Sequence, residues 1–94
     1  MRSDSPLPLR ALLLVESAGF QTTLVGGWSR ELLGLEPPRP HSDIDLLVTD
    51  PDITRLDEWL STVDEIRTKR FAHKRAFQLD GEMVELHLVR RRTE

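Results

Sequence analysis

The stretch LVGGWSRELLGLEPPRPHSDIDLLV, Leu24 to Val48, decides how this chain is read. It opens on a glycine pair and closes on two aspartates, Asp43 and Asp45, set among apolar residues that otherwise spell a core strand. Side chains alternate across a strand, so Asp43 and Asp45 share one face while Ile44, Leu46 and Val48 share the other. The apolar face can pack on helices. The acidic face holds two carboxylates about 7 Å apart at their Cα atoms, two residue rises along the strand. Unpaired, two such anions repel. Two readings are open at this point: carboxylates solvated at a strand end, or a pair whose oxygens converge on a hard cation. Mg²⁺ suits the second, because it prefers carboxylate oxygens and keeps water or phosphate as its other ligands.

Working outward, Phe20 to Val25 (FQTTLV) is rich in β-formers and reads as a strand that Gly26-Gly27 breaks. Trp28 to Leu33 reads as a short helix closed by Gly34, and Pro37, Pro38 and Pro40 forbid its continuation. Upstream, Ser5-Pro6 reads as an N-cap followed by proline at the first helical position. Leu9, Leu12 and Leu13 supply the apolar stripe of that helix, and Gly19 its stop. Downstream, Asp50-Pro51 starts a helix in which Ile53, Leu56, Leu60 and Val63 recur at helical spacing. Strands are expected near Glu65–Lys69, Arg75–Leu79 and Met83–Val89, the last two joined by the hairpin signal Asp80-Gly81. The expected order is α-β-α-β-α-β-β-β, an α/β (α+β) chain read as a single domain over residues 1–94.

Composition sets the outer bounds. With 38% hydrophobic and 31% charged residues, the 94-residue chain has the profile of a globular domain with one modest core. A net charge of −3 gives no overall basic footprint for nucleic acid, although Lys69, Arg70, Lys74, Arg75 and Arg90 to Arg92 make the C-terminal third locally basic. The chain has no cysteine, so disulfides, thiol chemistry and cysteine-based zinc sites are excluded. The apolar run Ala11–Val15 is too short to span a bilayer and lacks the flanks of a signal peptide, so no membrane partner is expected and the expected compartment is cytoplasmic.

Two further features bear on the aspartate pair. In MVELHLV, Val84, Leu86 and Leu88 face one way while Glu85 and His87 face the other. If this strand pairs beside Asp43–Thr49, Glu85 becomes a third carboxylate over the same site; left apart, it is an exposed strand glutamate. Gly26-Gly27 lies between a strand and a helix, where backbone N–H groups and a helix N-terminus can cradle an anion. A phosphate cradle beside three carboxylates points to nucleotide chemistry.

The sequence GGWSRELLG, a loop containing proline and arginine, and then HSDIDLLV resemble the signature of the nucleotidyltransferase superfamily, the DNA polymerase β-like fold. The pattern is similar to the branch of aminoglycoside 2''-nucleotidyltransferases and lincosamide nucleotidyltransferases. The matching positions are Gly26, Gly27, Trp28, Arg39, His41, Asp43 and Asp45, and DGEMVELH resembles the strand of the third acid, here Glu85 followed by His87. The likeness spans about Phe20 to Val89. It implies a minimal nucleotidyltransferase fold, a mixed β-sheet with helices packed on one face.

The resemblance also implies a mechanism. Asp43, Asp45 and Glu85 would be the catalytic and metal-binding acids, holding Mg²⁺, two ions in the full arrangement. Gly26 and Gly27, with Trp28, Arg39 and His41, would bind a nucleoside triphosphate, ATP being the expected one. A second Mg²⁺, or Glu85 as general base, would activate an acceptor hydroxyl for attack on the α-phosphorus, with pyrophosphate leaving. The acceptor of this branch is an antibiotic-like small molecule; tRNA or a protein is the alternative, as in toxin-type nucleotidyltransferases, and a non-catalytic nucleotide-binding module retaining the fold is a third. Members of the branch usually continue into a larger C-terminal part that grips the acceptor, whereas this sequence stops at Glu94. Three readings are open: a second subunit, as in a homodimer, supplying the wall, a large acceptor bringing its own surface, or a protein that no longer catalyses. The third acid is glutamate here where aspartate is common. Of the remaining residues, Trp59 reads as core or interface, Arg30 as a helix charge or phosphate contact, and His87 as a partner able to orient Glu85 or as a structural histidine.

Overall fold

Alternation in the aspartate strand divides the sheet into two unlike faces. The computed structural model describes residues 6–25 and 43–91. Strand β2 is Asp43–Thr49, with Ile44, Leu46 and Val48 buried and Asp43, Asp45, Leu47 and Thr49 half-buried. Strand β1, Gln21–Val25, runs antiparallel to it, and β5, Glu82–Val89, runs parallel on its other side. Beyond β5 come β4, Lys74–Leu79, and the two-residue β3, Asp64–Glu65, both antiparallel neighbours, giving the sheet order β1-β2-β5-β4-β3. This is a mixed five-stranded sheet in an α+β chain, as expected. The helix read at Trp28 to Leu33 lies outside the described residues, as do Gly26, Gly27, Arg30, Arg39 and His41.

Helix α1 is Leu7–Ser17 and α2 is Ile53–Leu60. Ala11 and Val15 of α1 and Leu56 and Leu60 of α2 join Ile44, Leu46, Val48, Phe77, Val84, Leu86 and Leu88 in one core. Both helices therefore cover the same face of the sheet. The stripe of α1 differs from the expected one: Pro8, Ala11 and Val15 are buried, whereas Leu9 and Leu13 are exposed. The reason is that α1 is apolar nearly all round, so spacing alone does not single out a face, and the small Ala11 permits close approach to the sheet. The helix starts one residue later than expected, with Pro6 as N-cap and Pro8 in the first turn, where a missing N–H costs nothing. Gly19, at φ 95°, ends it as expected, its N–H donating to the Glu16 carbonyl at 2.9 Å.

The start of α2 is also shifted. Its N-cap is Asp52, whose carboxylate accepts from the Arg55 N–H at 3.2 Å. Asp50 instead turns the chain at φ 48°, its N–H on the Val89 carbonyl at 2.7 Å and its carboxylate on Arg91 at 2.9 Å. Trp59 is half-buried and packs against the core, edge-on to Phe77 at 5.5 Å and tilted against Phe20 at 6.1 Å. Arg55 lies over the far side of Phe20 at 4.7 Å and donates to the Ala18 carbonyl at 2.7 Å, so α2 is tied to the end of α1.

The strand expected at Glu65–Lys69 shortens to β3 and a 3₁₀ turn over Arg67–Lys69. The Ile66 N–H still donates to the Ala76 carbonyl at 2.8 Å before the turn, and the Arg70 guanidinium reaches back across it to Glu65 at 2.7 and 2.9 Å. The hairpin signal is realised: Asp80 (φ 51°) and Gly81 (φ 82°) form the two-residue turn between β4 and β5.

Arg75 fastens α2 to β4. It is 7% exposed, with Nε and Nη2 on the Asp57 carboxylate at 2.8 and 3.4 Å and Nη1 on the carbonyls of Phe71 and Lys74. The hydrogen bond from Arg75 holds the Asp57 carboxyl below the ordinary 3.8 of an aspartate. Because the folded pKa is the lower one, this pair stabilises the fold fully above the ordinary value and loses its contribution as pH falls through the folded value. In urea unfolding followed from neutral pH to about pH 2, wild type should lose an acid-sensitive increment that Asp57→Asn lacks. Identical pH slopes for the two proteins would remove this pair from the acid response.

Candidate functional site

The parallel pairing of β2 with β5 brings the acids together. In its register Asp43 stands opposite Met83 and Asp45 opposite Glu85. Directly opposite residues of paired strands project to the same side, so Asp43, Asp45, Glu85 and His87 share the face turned away from both helices. Neighbouring strands lie about 4.8 Å apart, which puts the Asp45 and Glu85 carboxylates within reach of one ion. The condition attached to Glu85 in the sequence, that its strand lie beside the aspartate strand, is met.

The side chains are engaged along diagonals. His87 Nε2 is 3.0 Å from Asp45 Oδ1, so the histidine orients Asp45 and not Glu85, as the sequence had suggested. The register explains the exchange: Leu47 is opposite His87, and the nearest acid on the same face of β2 is two residues back, at Asp45. Glu85 is paired from its other side. Lys74 on β4 stands opposite His87, and its ammonium lies diagonally against Glu85 Oε2 in an ion pair. The Lys74 ammonium is held protonated above its ordinary range, first by Glu85 and then by the fields of Asp45 and Asp43. One cation thus senses all three acids.

Sequence reasoning passed over Lys74, reading it only as part of a basic cluster. The signal was present: a two-residue turn at Asp80-Gly81 fixes the β4–β5 register, and counting back from it places Lys74 across from His87. Three arginines of the cluster are engaged with internal partners. Arg70 pairs with Glu65 at 2.7 Å, Arg75 with Asp57 at 2.8 Å and, at the other end of the sheet, Arg91 with Asp50 at 2.9 Å.

The donors are of the kind a hard divalent cation takes: three carboxylates, less one ammonium, leave two negative charges to be met. Glu85 supplies a specific reason for a cation. It is 8% exposed, and its Oε2, shut off from solvent, has the Lys74 ammonium as its partner among the described residues. The charge contact with Lys74 is what offsets its desolvation. As the side chains stand, no three of these groups converge closely enough to ligate one ion among the described residues. Holding a metal requires Lys74 and His87 to turn aside. Clefts of about 110 and 270 Å³ lie at the other end of β2, around Pro51 and Asp50. Thr49 ends β2 there, about 20 Å along the strand from Asp43. The acids therefore belong to the open face of the sheet and not to those clefts.

The nucleotide-binding residues expected from the sequence, Gly26, Gly27, Trp28, Arg39 and His41, lie outside the described residues. Among the described residues no helix is long and apolar enough to cross a membrane. Comparisons with protein-family models, with curated proteins and with solved structures gave no match.

Proposed function

We propose that the protein is a Mg²⁺-dependent nucleotidyltransferase that moves a nucleoside monophosphate from a nucleoside triphosphate, ATP in the first instance, onto an acceptor hydroxyl. The observation that carries this reading is the register of Asp45 against Glu85 on adjacent parallel strands, with Asp43 on the same open face. Asp43, Asp45 and Glu85 would hold the ion, which when bound neutralises phosphate charge and polarises the α-phosphorus. The chain's own residues do the rest. Gly26 and Gly27 offer backbone N–H groups to the triphosphate. Glu85 takes the proton of the acceptor hydroxyl as that oxygen bonds to the α-phosphorus, and the bond to the bridging oxygen breaks to release pyrophosphate. His87 steadies Asp45 through the 3.0 Å contact.

A small-molecule acceptor of the aminoglycoside or lincosamide kind is favoured over tRNA. Two of the basic side chains that could meet a polyanion, Arg70 and Arg75, are already paired with Glu65 and Asp57. The test is transfer of α-labelled ATP, with Mg²⁺, to a panel of antibiotics and in parallel to total tRNA. Label on an antibiotic, together with release of pyrophosphate, is the expected result. Label on RNA alone would move the acceptor to the toxin-like alternative. No transfer and no pyrophosphate would leave a non-catalytic module.

A further inference from the structure

Lys74 stands out because it is placed with the care of a site residue but carries the wrong charge for a metal ligand. It sits on β4, a strand that contributes none of the three acids, yet the hairpin register aims it diagonally at Glu85. Its side chain is 32% exposed whereas that of Glu85 is 10% exposed, so the ammonium approaches from the solvent side and closes over the carboxylate. The other long cations nearby are committed elsewhere, Arg75 to Asp57 and Arg70 to Glu65, which leaves Lys74 as the cation over this face among the described residues.

We propose that Lys74 is the built-in competitor for the divalent cation: its ammonium and the ion contend for the same Glu85 carboxylate, and the residue thereby sets the cation affinity of the site. The inference rests on the metal reading just given. The physical argument is charge balance at short range. With Lys74 on Glu85, an arriving cation meets a net charge of −2; with Lys74 swung away, it meets the −3 of three carboxylates. A lysine suits this part better than an arginine, since a single flexible ammonium makes one contact and releases it, whereas a guanidinium fork would clamp the carboxylate in two. Glu85 cannot simply be left bare, because a shielded carboxylate without a partner is costly, so one cation replaces the other.

The experiment is direct binding of Mn²⁺, followed by the electron paramagnetic resonance of the free ion, to wild type, Lys74→Met, Lys74→Arg and Asp45→Asn. Lys74→Met is expected to bind Mn²⁺ about tenfold more tightly than wild type, and Lys74→Arg no more tightly than wild type. The same Lys74→Met protein should melt lower than wild type without divalent ion and recover more on its addition. A lysine with a purely structural part would lower the melting temperature without tightening Mn²⁺ binding. If wild type binds, Asp45→Asn does not, and Lys74→Met binds no better than wild type, the competition is overturned while the metal site stands. If neither wild type nor Lys74→Met binds, the metal reading itself fails. Should Lys74→Met not fold, a Mg²⁺ titration of wild type by NMR decides the matter. The Lys74 Cε and Glu85 Cδ signals should move with one midpoint, and a Glu85 response with Lys74 unmoved would overturn the proposal.

Discussion

Asp45→Asn is expected to abolish the stabilisation of the protein by Mg²⁺ with a nucleoside triphosphate and to lower nucleotidyl transfer by about a thousandfold or more. The substitution is nearly isosteric, and the asparagine side-chain oxygen can still meet His87 Nε2, 3.0 Å from Asp45 Oδ1 in wild type, so the strand should remain in place. What it removes is one unit of charge at the centre of the acid group, between Asp43 on its own strand and Glu85 on the next. Thermal unfolding measures the binding part. A ligand at about 100 times its Kd stabilises by roughly 2.7 kcal/mol, which in a 94-residue domain raises Tm by about 10 °C or more. Wild type should show that rise only with both Mg²⁺ and the triphosphate, and Asp45→Asn should show none. An equal rise in the two proteins would place triphosphate binding elsewhere and remove Asp45 from the site.

Phe77→Ala is expected to cost about 3–5 kcal/mol, the largest stability loss of any single truncation in the core. Phe77 is fully buried on β4, opposite Val84, and meets Trp59 of α2 edge-on at 5.5 Å. Trp59 in turn packs on Phe20, which Arg55 covers, so the ring is the first member of a run joining the sheet to α2 and to the turn after α1. Removing it opens a cavity and unseats the whole run. Against a total stability of about 5–15 kcal/mol, the loss should lower Tm by roughly 15 °C or more. Urea unfolding of Phe77→Ala beside Phe77→Leu checks it, since the leucine refills much of the volume and should cost well under half as much. A loss of less than about 1 kcal/mol for the alanine would mean that this part of the core can collapse around the gap.

Much of the site was legible from local pattern. Strict alternation in DIDLLVT and MVELHLV assigns each acid to a face before any partner strand is known, because a strand's period of two leaves no other choice. Asp80-Gly81 announces its turn because both positions need positive φ, which this dipeptide tolerates and most do not. Other features were illegible for equally physical reasons. Seven apolar residues crowd α1 between Leu7 and Val15, so periodicity could not choose its buried face, and packing chose the side with Ala11. Asp50-Pro51 read as the start of α2, but Asp52 caps it, while Asp50 bonds to Arg91, 41 residues away.

The sequence by itself determined which residues share a face, where the chain turns, and that two aspartates sit on a strand whose other side is apolar. Those are properties of neighbours within a few residues, set by backbone periodicity and sterics. Only the tertiary structure decided that β5 lies parallel to β2, in the register that sets Glu85 beside Asp45. It also decided that His87 meets Asp45 and not Glu85. Both depend on contacts across some 40 residues of chain at β2 and β5, which the burial of a shared core fixes and which no local pattern encodes.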